Sequence, residues 1–154
     1  MTITYREATI ADAEALARMH RHAVGGYAGV YEPTVLDAWN EGHTTARWEA
    51  RISSPALFVI AELDGELVGC GGLVDNRTGL YVHPQAQRRG IARTIFADLE
   101  ARARRRGITL LELSAPEPAV PFYTAMGFER LTAKAQRFGE RAALTVVDMQ
   151  KHLT

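Results

Sequence analysis

The chain has one cysteine in 154 residues, Cys70, so no disulfide can form within it. With five scattered histidines it offers no zinc-ligand spacing, and no metal is expected. It carries no net charge either. Eighteen basic residues cancel eighteen acidic ones, which leaves no global field to draw the protein to nucleic acid or an anionic membrane. No apolar run approaches the roughly 18 to 20 residues that a membrane span needs. The opening MTITYREATIADAE puts acids where a secretory signal would carry an apolar core, so the expectation is a cytoplasmic protein. Neither Gly-x-Gly-x-x-Gly nor Gly-Lys-Ser/Thr occurs, which removes the main support for Rossmann and P-loop folds. Internal repeats, low-complexity tracts and Gly/Ser linkers are absent, and the length suits one domain over residues 1–154. A chain 47 % hydrophobic and 23 % charged is not a disordered one.

Lysine is scarce as well. Sixteen of the eighteen basic residues are Arg, and seven of these fall between Arg88 and Arg106, against only Asp98 and Glu100. Around that cluster the hydrophobic pattern predicts regular elements. Ile3 to Glu7 alternates like a strand. Thr9 suits a helix cap, with Ala13, Leu16, Ala17, His20 and Val24 along one face before Gly25-Gly26. Tyr27 to Gly42 reads as irregular and aromatic, with a turn or two of helix around Leu36 to Trp39. A second helix is predicted over Thr44 to Ile52.

Leu57 to Leu63 and Glu66 to Val74 read as a hairpin about Asp64-Gly65, and Thr78 to Val82 as the next strand. A long helix is predicted from Gly90 to Arg106, with Ile91, Ile95, Phe96, Leu99 and Ala103 as its apolar stripe. Asp98–Arg102 and Glu100–Arg104 would pair on its wet side. The strand Thr109 to Leu113, a short helix after Pro118 closed by Gly127, and strands near Phe128 to Ala135 and Ala142 to Met149 complete the order. The fold class is α/β: a mixed, mostly antiparallel central sheet of six to seven strands flanked by about four helices.

The stretch Leu80-Tyr81-Val82-His83-Pro84-Gln85-Ala86-Gln87-Arg88-Arg89-Gly90-Ile91-Ala92-Arg93 carries the chemistry. A strand ends, an Arg- and Gly-rich turn follows, and an amphipathic helix begins. A helix N-terminus presents unpaired N–H groups and partial positive charge, which suits a phosphate or pyrophosphate. Arg88, Arg89 and Arg93 add forked donors. Turn chemistry alone fits a solvated surface turn equally well.

Here the chain resembles the GCN5-related N-acetyltransferases, the GNAT superfamily. Gln87-Arg88-Arg89-Gly90-Ile91-Ala92 matches that family's Gln/Arg-x-x-Gly-x-Gly/Ala signature. Leu80-Tyr81-Val82-His83-Pro84 is similar to its bulged fourth strand, and Phe122-Tyr123-Thr124-Ala125-Met126-Gly127-Phe128 to its Phe-Tyr-x-x-x-Gly-Phe segment. The resemblance implies acetyl-CoA as donor and a small-molecule or peptide amine as acceptor. It implies that the backbone about Leu80, Tyr81 and Val82 holds the pantetheine arm. The N–H groups from Gln87 through Arg93 would hold the pyrophosphate, and Phe122 would adjoin the cofactor. The family's Asn before Phe-Tyr is replaced here by Pro116-Glu117-Pro118. A homodimer stays open.

Amine acylation must take a proton from the ammonium, polarise the carbonyl and satisfy the departing thiolate. A backbone N–H freed by a strand bulge near Tyr81 suits the second task. Tyr123 suits the third, since a phenol with a pKa near 10 can donate to a thiolate; its deprotonation should then limit the rate at high pH. The residues leave the base open among Glu112, Asp75, His83 and His43. Tyr27, Tyr31, Trp39 and His43 are the candidate acceptor contacts, with Phe138 nearby. Cys70 sits mid-strand with no charge to activate it, which disfavours an acyl-cysteine route. The alternative to an enzyme is an acyl-CoA-binding sensor that keeps the fold without turnover.

Overall fold

The computed structural model describes residues 2–140 and 142–154. Strands β1 (Ile3–Glu7), β2 (Leu57–Leu63), β3 (Glu66–Val74), β4 (Arg77–Val82), β5 (Leu110–Pro116), β6 (Glu129–Phe138) and β7 (Ala142–His152) form one sheet. Their order is β1-β2-β3-β4-β5-β7-β6. All neighbours run antiparallel except β4 and β5, which are parallel because a helix crosses between them. Among the described residues, five α-helices flank the sheet: α1 (Ala13–Gly25), α2 (Pro33–Glu41), α3 (Thr45–Ile52), α4 (Ile91–Arg105) and α5 (Val120–Ala125).

The helix beyond the expected count is α2, which occupies the stretch that reads as irregular in sequence. Pro33 fits its first turn, and no glycine interrupts it until Gly42. It buries no residue fully, so it lacks the apolar stripe by which a helix is recognised. The other helices follow their patterns. Ala13, Leu16, Ala17, His20 and Val24 of α1 are all buried, as are Ile91, Ile95, Phe96, Leu99 and Ala103 of α4. Asp64 (φ 51°) and Gly65 (φ 87°) are both left-handed, which is the tight hairpin turn expected between β2 and β3.

One expected surface pair is not on the surface. Glu100 does approach Arg104, at 3.6 Å, but it is only 8 % exposed. Lys151 of β7 is the reason. Its Nζ donates to Glu100 Oε1 at 2.6 Å and to the Met126 carbonyl at 2.8 Å, so it ties α4, α5 and β7 together. A partner 51 positions away leaves no trace in helix periodicity.

The two faces of the sheet are packed differently. One carries α4 and α5 over a core that includes Val59, Leu73, Ile95, Phe96, Leu99, Leu111 and Val147. The other carries α1 and α3 over Leu16, Trp48, Phe58, Ile60 and Cys70. Beneath α4, β3 has glycine where side chains would block the helix. A Cβ on Gly71 would lie 2.4 Å from Ile95 Cγ2 and 2.8 Å from Leu99 Cδ1. Overpacking of this kind destabilises by about 1 to 3 kcal/mol. Gly71→Ala should therefore lower stability by that order in urea unfolding, while Gly25→Ala, with open space around it, should not. Equal midpoints for the two variants would mean that α4 does not press on β3.

Candidate active site

The site begins at a fork in the sheet. β4 and β5 share one register pair, Arg77 opposite Glu112. The Glu112 N–H donates to the Asn76 carbonyl at 3.0 Å, and Asn76 Nδ2 donates to the Leu110 carbonyl at 3.2 Å. Beyond that clasp the strands part. Leu80, Tyr81 and Val82 on one side and Pro118, Ala119, Phe122 and Tyr123 on the other line a cleft of about 590 Å3. β4 keeps an unbroken antiparallel register with β3, from Gly69↔Val82 to Val74↔Arg77. The expected bulge near Tyr81 is therefore absent; the sheet's slips lie at Ala61/Glu62 and Arg130/Ala133. The backbone of β4 is freed instead by the departure of β5, with the same chemical result: polar groups without a strand partner along the cleft.

Gln87, Arg88, Gly90, Ile91, Ala92 and Arg93 close one end of the cleft. Arg88 (φ 66°) and Gly90 (φ 77°) are left-handed, so the chain turns tightly just before the first turn of α4. Such a nest, continuous with a fifteen-residue helix, is a ready anion site. Arg89 departs from the expected list. It borders a neighbouring depression with Arg18, His22 and His83 and does not line the cleft.

Tyr123 combines the two readings its sequence allows. It is 7 % exposed, edge-on to Phe96 (6.0 Å) and Phe128 (5.9 Å), and it still lines the cleft. Burial first, and then the nearby phenols of Tyr81 and Tyr27, hold its hydroxyl well above the usual phenol range. Burial also pushes Tyr27 up to about 12. Three protonated phenols thus converge on the mouth of the fork.

The expected acceptor residues fall into two groups. Tyr27 borders the cleft, lies against Tyr31 (5.6 Å) and stacks on Trp39 (5.6 Å), which stacks on Phe138 (6.3 Å). This ladder joins the end of α1 to α2 and the tip of β6. His43 stands apart. It stacks on His20 at 3.6 Å and lines a second cavity of about 290 Å3 with Trp48, Arg51, Phe58, Cys70 and Tyr81. Among the described residues, Tyr81 alone borders both cavities.

His20 and Arg51 were not singled out by sequence. His20 sits in a helical apolar stripe and is fully buried, so its pattern is that of a core residue. Its Nδ1 lies 2.9 Å from Asn40 Oδ1, and its Nε2 has no partner among the described residues. Arg51 lies three residues after Trp48, in the last turn of α3, and only the fold brings it to a cavity.

None of the four base candidates lines the cleft. Burial pushes His43 down to about 2, and its Nδ1 faces Arg51 Nη1 at 3.3 Å, so its lone pair is already engaged. Glu112 is at the closed end of the fork, 3.7 Å from Arg77. Asp75 is in the β3–β4 turn, and the His83 ring accepts the Gln85 N–H at 3.1 Å. Cys70 is 1 % exposed, and burial pushes its thiol up to about 12, so it is no nucleophile at neutral pH.

The buried histidines carry a pH signature. Burial lowers His20 from 6.5 to about 4, so the folded protein leaves it neutral where the unfolded chain protonates it. Its share of stability is complete above pH 6.5 and is lost as pH falls toward 4, at most by about 1.4 kcal/mol per pH unit. Urea unfolding between pH 7 and pH 4.5 should show this slope added to a like one from His43, and His20→Gln should remove about half of the sum. Parallel slopes for the two proteins would mean that His20 is charged in the fold.

The geometry is that of a mixed α/β sheet opened between two parallel strands, with an anion-binding turn at one end of the opening. Residues 16–153 match the acetyltransferase (GNAT) domain, and the chain belongs to that family. A GCN5-related N-acetyltransferase from Rhodopseudomonas palustris superposes with a TM-score of 0.91 at 27 % identity, over 99 % of this chain and 97 % of that one. An L-amino acid N-acyltransferase of Escherichia coli is 25 % identical over 96 % of this chain and 94 % of its own length. An acetyltransferase of Photorhabdus laumondii is 41 % identical over 68 residues, 41 % of this chain. That match spans about half of the relative, 48 % of its length. Among the described residues, no helix is long and apolar enough to cross a membrane.

Proposed function

We propose that the chain is an acetyl-CoA-dependent N-acetyltransferase that acylates a primary amine by direct attack in a ternary complex. The observation that carries this reading is the fork: one cleft runs from the Arg88–Gly90 nest, past the freed edge of β4, to Tyr123. A long donor with a phosphate head and an amide-bearing arm fits that sequence of environments. The nest and α4 N–H groups take the phosphates, and the unpaired backbone at Leu80 to Val82 takes the arm. Pro116-Glu117-Pro118 takes the place of the family's Asn, and of these Pro118 borders the cleft. Bound there, acetyl-CoA supplies the activated acyl group.

The remaining chemistry falls to the protein's own groups. The backbone of β4 beside Tyr81 can donate to the carbonyl as negative charge develops. The Tyr123 hydroxyl donates to the departing sulfur. Because burial keeps that phenol protonated well past pH 10, Tyr123 should add no alkaline limb to the rate profile, in contrast to an ordinary phenol. A base that acts through water at the cleft mouth fits the absence of any titratable base candidate from its lining.

Acetyl-CoA should raise the melting temperature by mass action, and desulfo-CoA should do nearly as well, since phosphates and pantetheine supply most contacts. No shift with either at saturation would remove the basis for this reading. Gly90→Asp places a negative side chain on the anion turn at φ 77°, a conformation Asp tolerates better than most residues. The folded variant should lose CoA binding; unchanged affinity would place the donor elsewhere. Tyr123→Phe keeps the ring and its packing. Its kcat should fall on the order of 100-fold, with little change in acetyl-CoA affinity. Near-normal turnover would confine Tyr123 to the core.

A further inference from the structure

The second cavity contains a cation with no counter-ion. Arg51 is half-buried on its wall. Its Nη2 donates to the Gly42 carbonyl at 2.8 Å, its Nη1 lies 3.3 Å from His43 Nδ1, and its guanidinium lies 5.2 Å from the Trp48 ring centroid. All three partners are neutral. Among the described residues, no carboxylate pairs with it. Arg77, on the same cavity, is matched by Glu112 at 3.7 Å and Ser114 Oγ at 3.0 Å. Arg6, Arg102 and Arg130 are likewise paired with acids. A desolvated guanidinium without a counter-ion is unfavourable by itself, and burial does lower the proton affinity of Arg51.

The arrangement around it is rigid. His20 is held by Asn40 and stacks on His43, and His43 in turn faces Arg51. Neutral histidines fix the guanidinium without neutralising it. Its remaining N–H groups form part of a planar fork, which matches a carboxylate better than a point charge would. The rest of the wall is Phe58, Cys70, Val74, Gly72 and Gly79, with two polar residues already engaged: Thr78, whose hydroxyl donates to the Gly72 carbonyl, and the paired Arg77. At about 290 Å3 the space suits one small molecule. Its common border with the donor cleft is Tyr81.

We infer that this cavity binds the acceptor, and that the acceptor is a small primary amine bearing a carboxylate, which Arg51 holds. This rests on the transferase reading above. The carboxylate lies toward Arg51 and the amine toward Tyr81 and the thioester. In the transfer the new N–C bond forms as the C–S bond breaks. The ammonium gives up two protons: one passes to solvent, and the other replaces the proton that Tyr123 donates to the departing sulfur, so that Tyr123 is restored and the carboxylate is unchanged. An internal lysine of a peptide, with no carboxylate near its amine, is excluded as the preferred acceptor.

The test compares matched amines. Leucine, methionine and phenylalanine are each assayed by thiol release beside their carboxamides and their decarboxylated amines. The acid should exceed both partners in kcat/KM by about 10- to 100-fold, mainly through KM, as a charge-assisted pair of hydrogen bonds implies. Arg51→Gln should collapse that ratio toward one, and Arg51→Lys should restore part of it. A thermal shift with acetyl-CoA verifies that each variant is folded. Thiol release at equal rates from acid and amide, or an acid preference that survives Arg51→Gln, overturns the inference. If no amine releases thiol, the transferase reading fails by itself. Calorimetry with CoA-saturated protein then decides the anion site. Binding of the acids but not the amides, lost in Arg51→Gln, upholds it; equal binding or none overturns it.

Discussion

β4 and β5 touch at one register pair and then separate, and the rest of the molecule is arranged around that separation. Two parallel strands in mid-sheet would ordinarily continue their ladder, because unpaired backbone is unfavourable away from water. Here the divergence is held from both ends. Asn76 and Arg77 clasp the closed end. Beyond the open end β5 leads through Glu117–Ala119 into α5, whose C-terminal turn Lys151 fastens to α4. Glycines in β3 let α4 lie close under the sheet, so the anion-binding turn before α4 is set at the mouth of the fork. One backbone discontinuity thus positions the Arg88–Gly90 turn, the strand edge and the Tyr123 phenol along one cleft.

Much of this was legible in the sequence because local rules produce it. The α1 and α4 stripes, the Asp64-Gly65 turn and the Gly-Arg turn before α4 are short-range patterns, and each became the expected element. The family resemblance added the expectation that the β4 backbone and Tyr123 serve one site; the fork itself was not foreseen. What stayed hidden depends on distant partners. Glu100 has the spacing of a solvent-facing residue, but Lys151 draws it inward. α2 has no buried stripe and is held by the stacking of Trp39 on Tyr27 and Phe138. The expected bulge has the same origin: a strand edge can be freed by an irregularity within the strand or by loss of its neighbour, and sequence does not distinguish them.

The acceptor side shows the same limit more sharply. Tyr27, Trp39 and His43 are conspicuous as aromatic residues in a polar segment, whereas His20 looks like packing and Arg51 like a helix-surface charge. Folding reverses their weight. The aromatic ladder braces α2 against the β6 tip, while the histidine stack and the uncompensated guanidinium give the second cavity its chemical character. Charge is informative at Arg51 because of what is missing around it, and an absence in three dimensions has no counterpart in a linear pattern.

Cys70 is the only thiol in the chain, it is 1 % exposed, and burial holds it protonated. Disulfide reagents react with thiolates that they can reach. The native protein should therefore be silent toward such reagents, and colour developed during turnover counts free CoA alone. The same silence makes Cys70 an internal clock. It lies in β3, paired with Ile60 on one side and Tyr81 on the other, so it becomes reactive only when the middle of the sheet opens. Its labelling rate reports how often the strand that supports the fork comes apart, in a protein that carries no added probe.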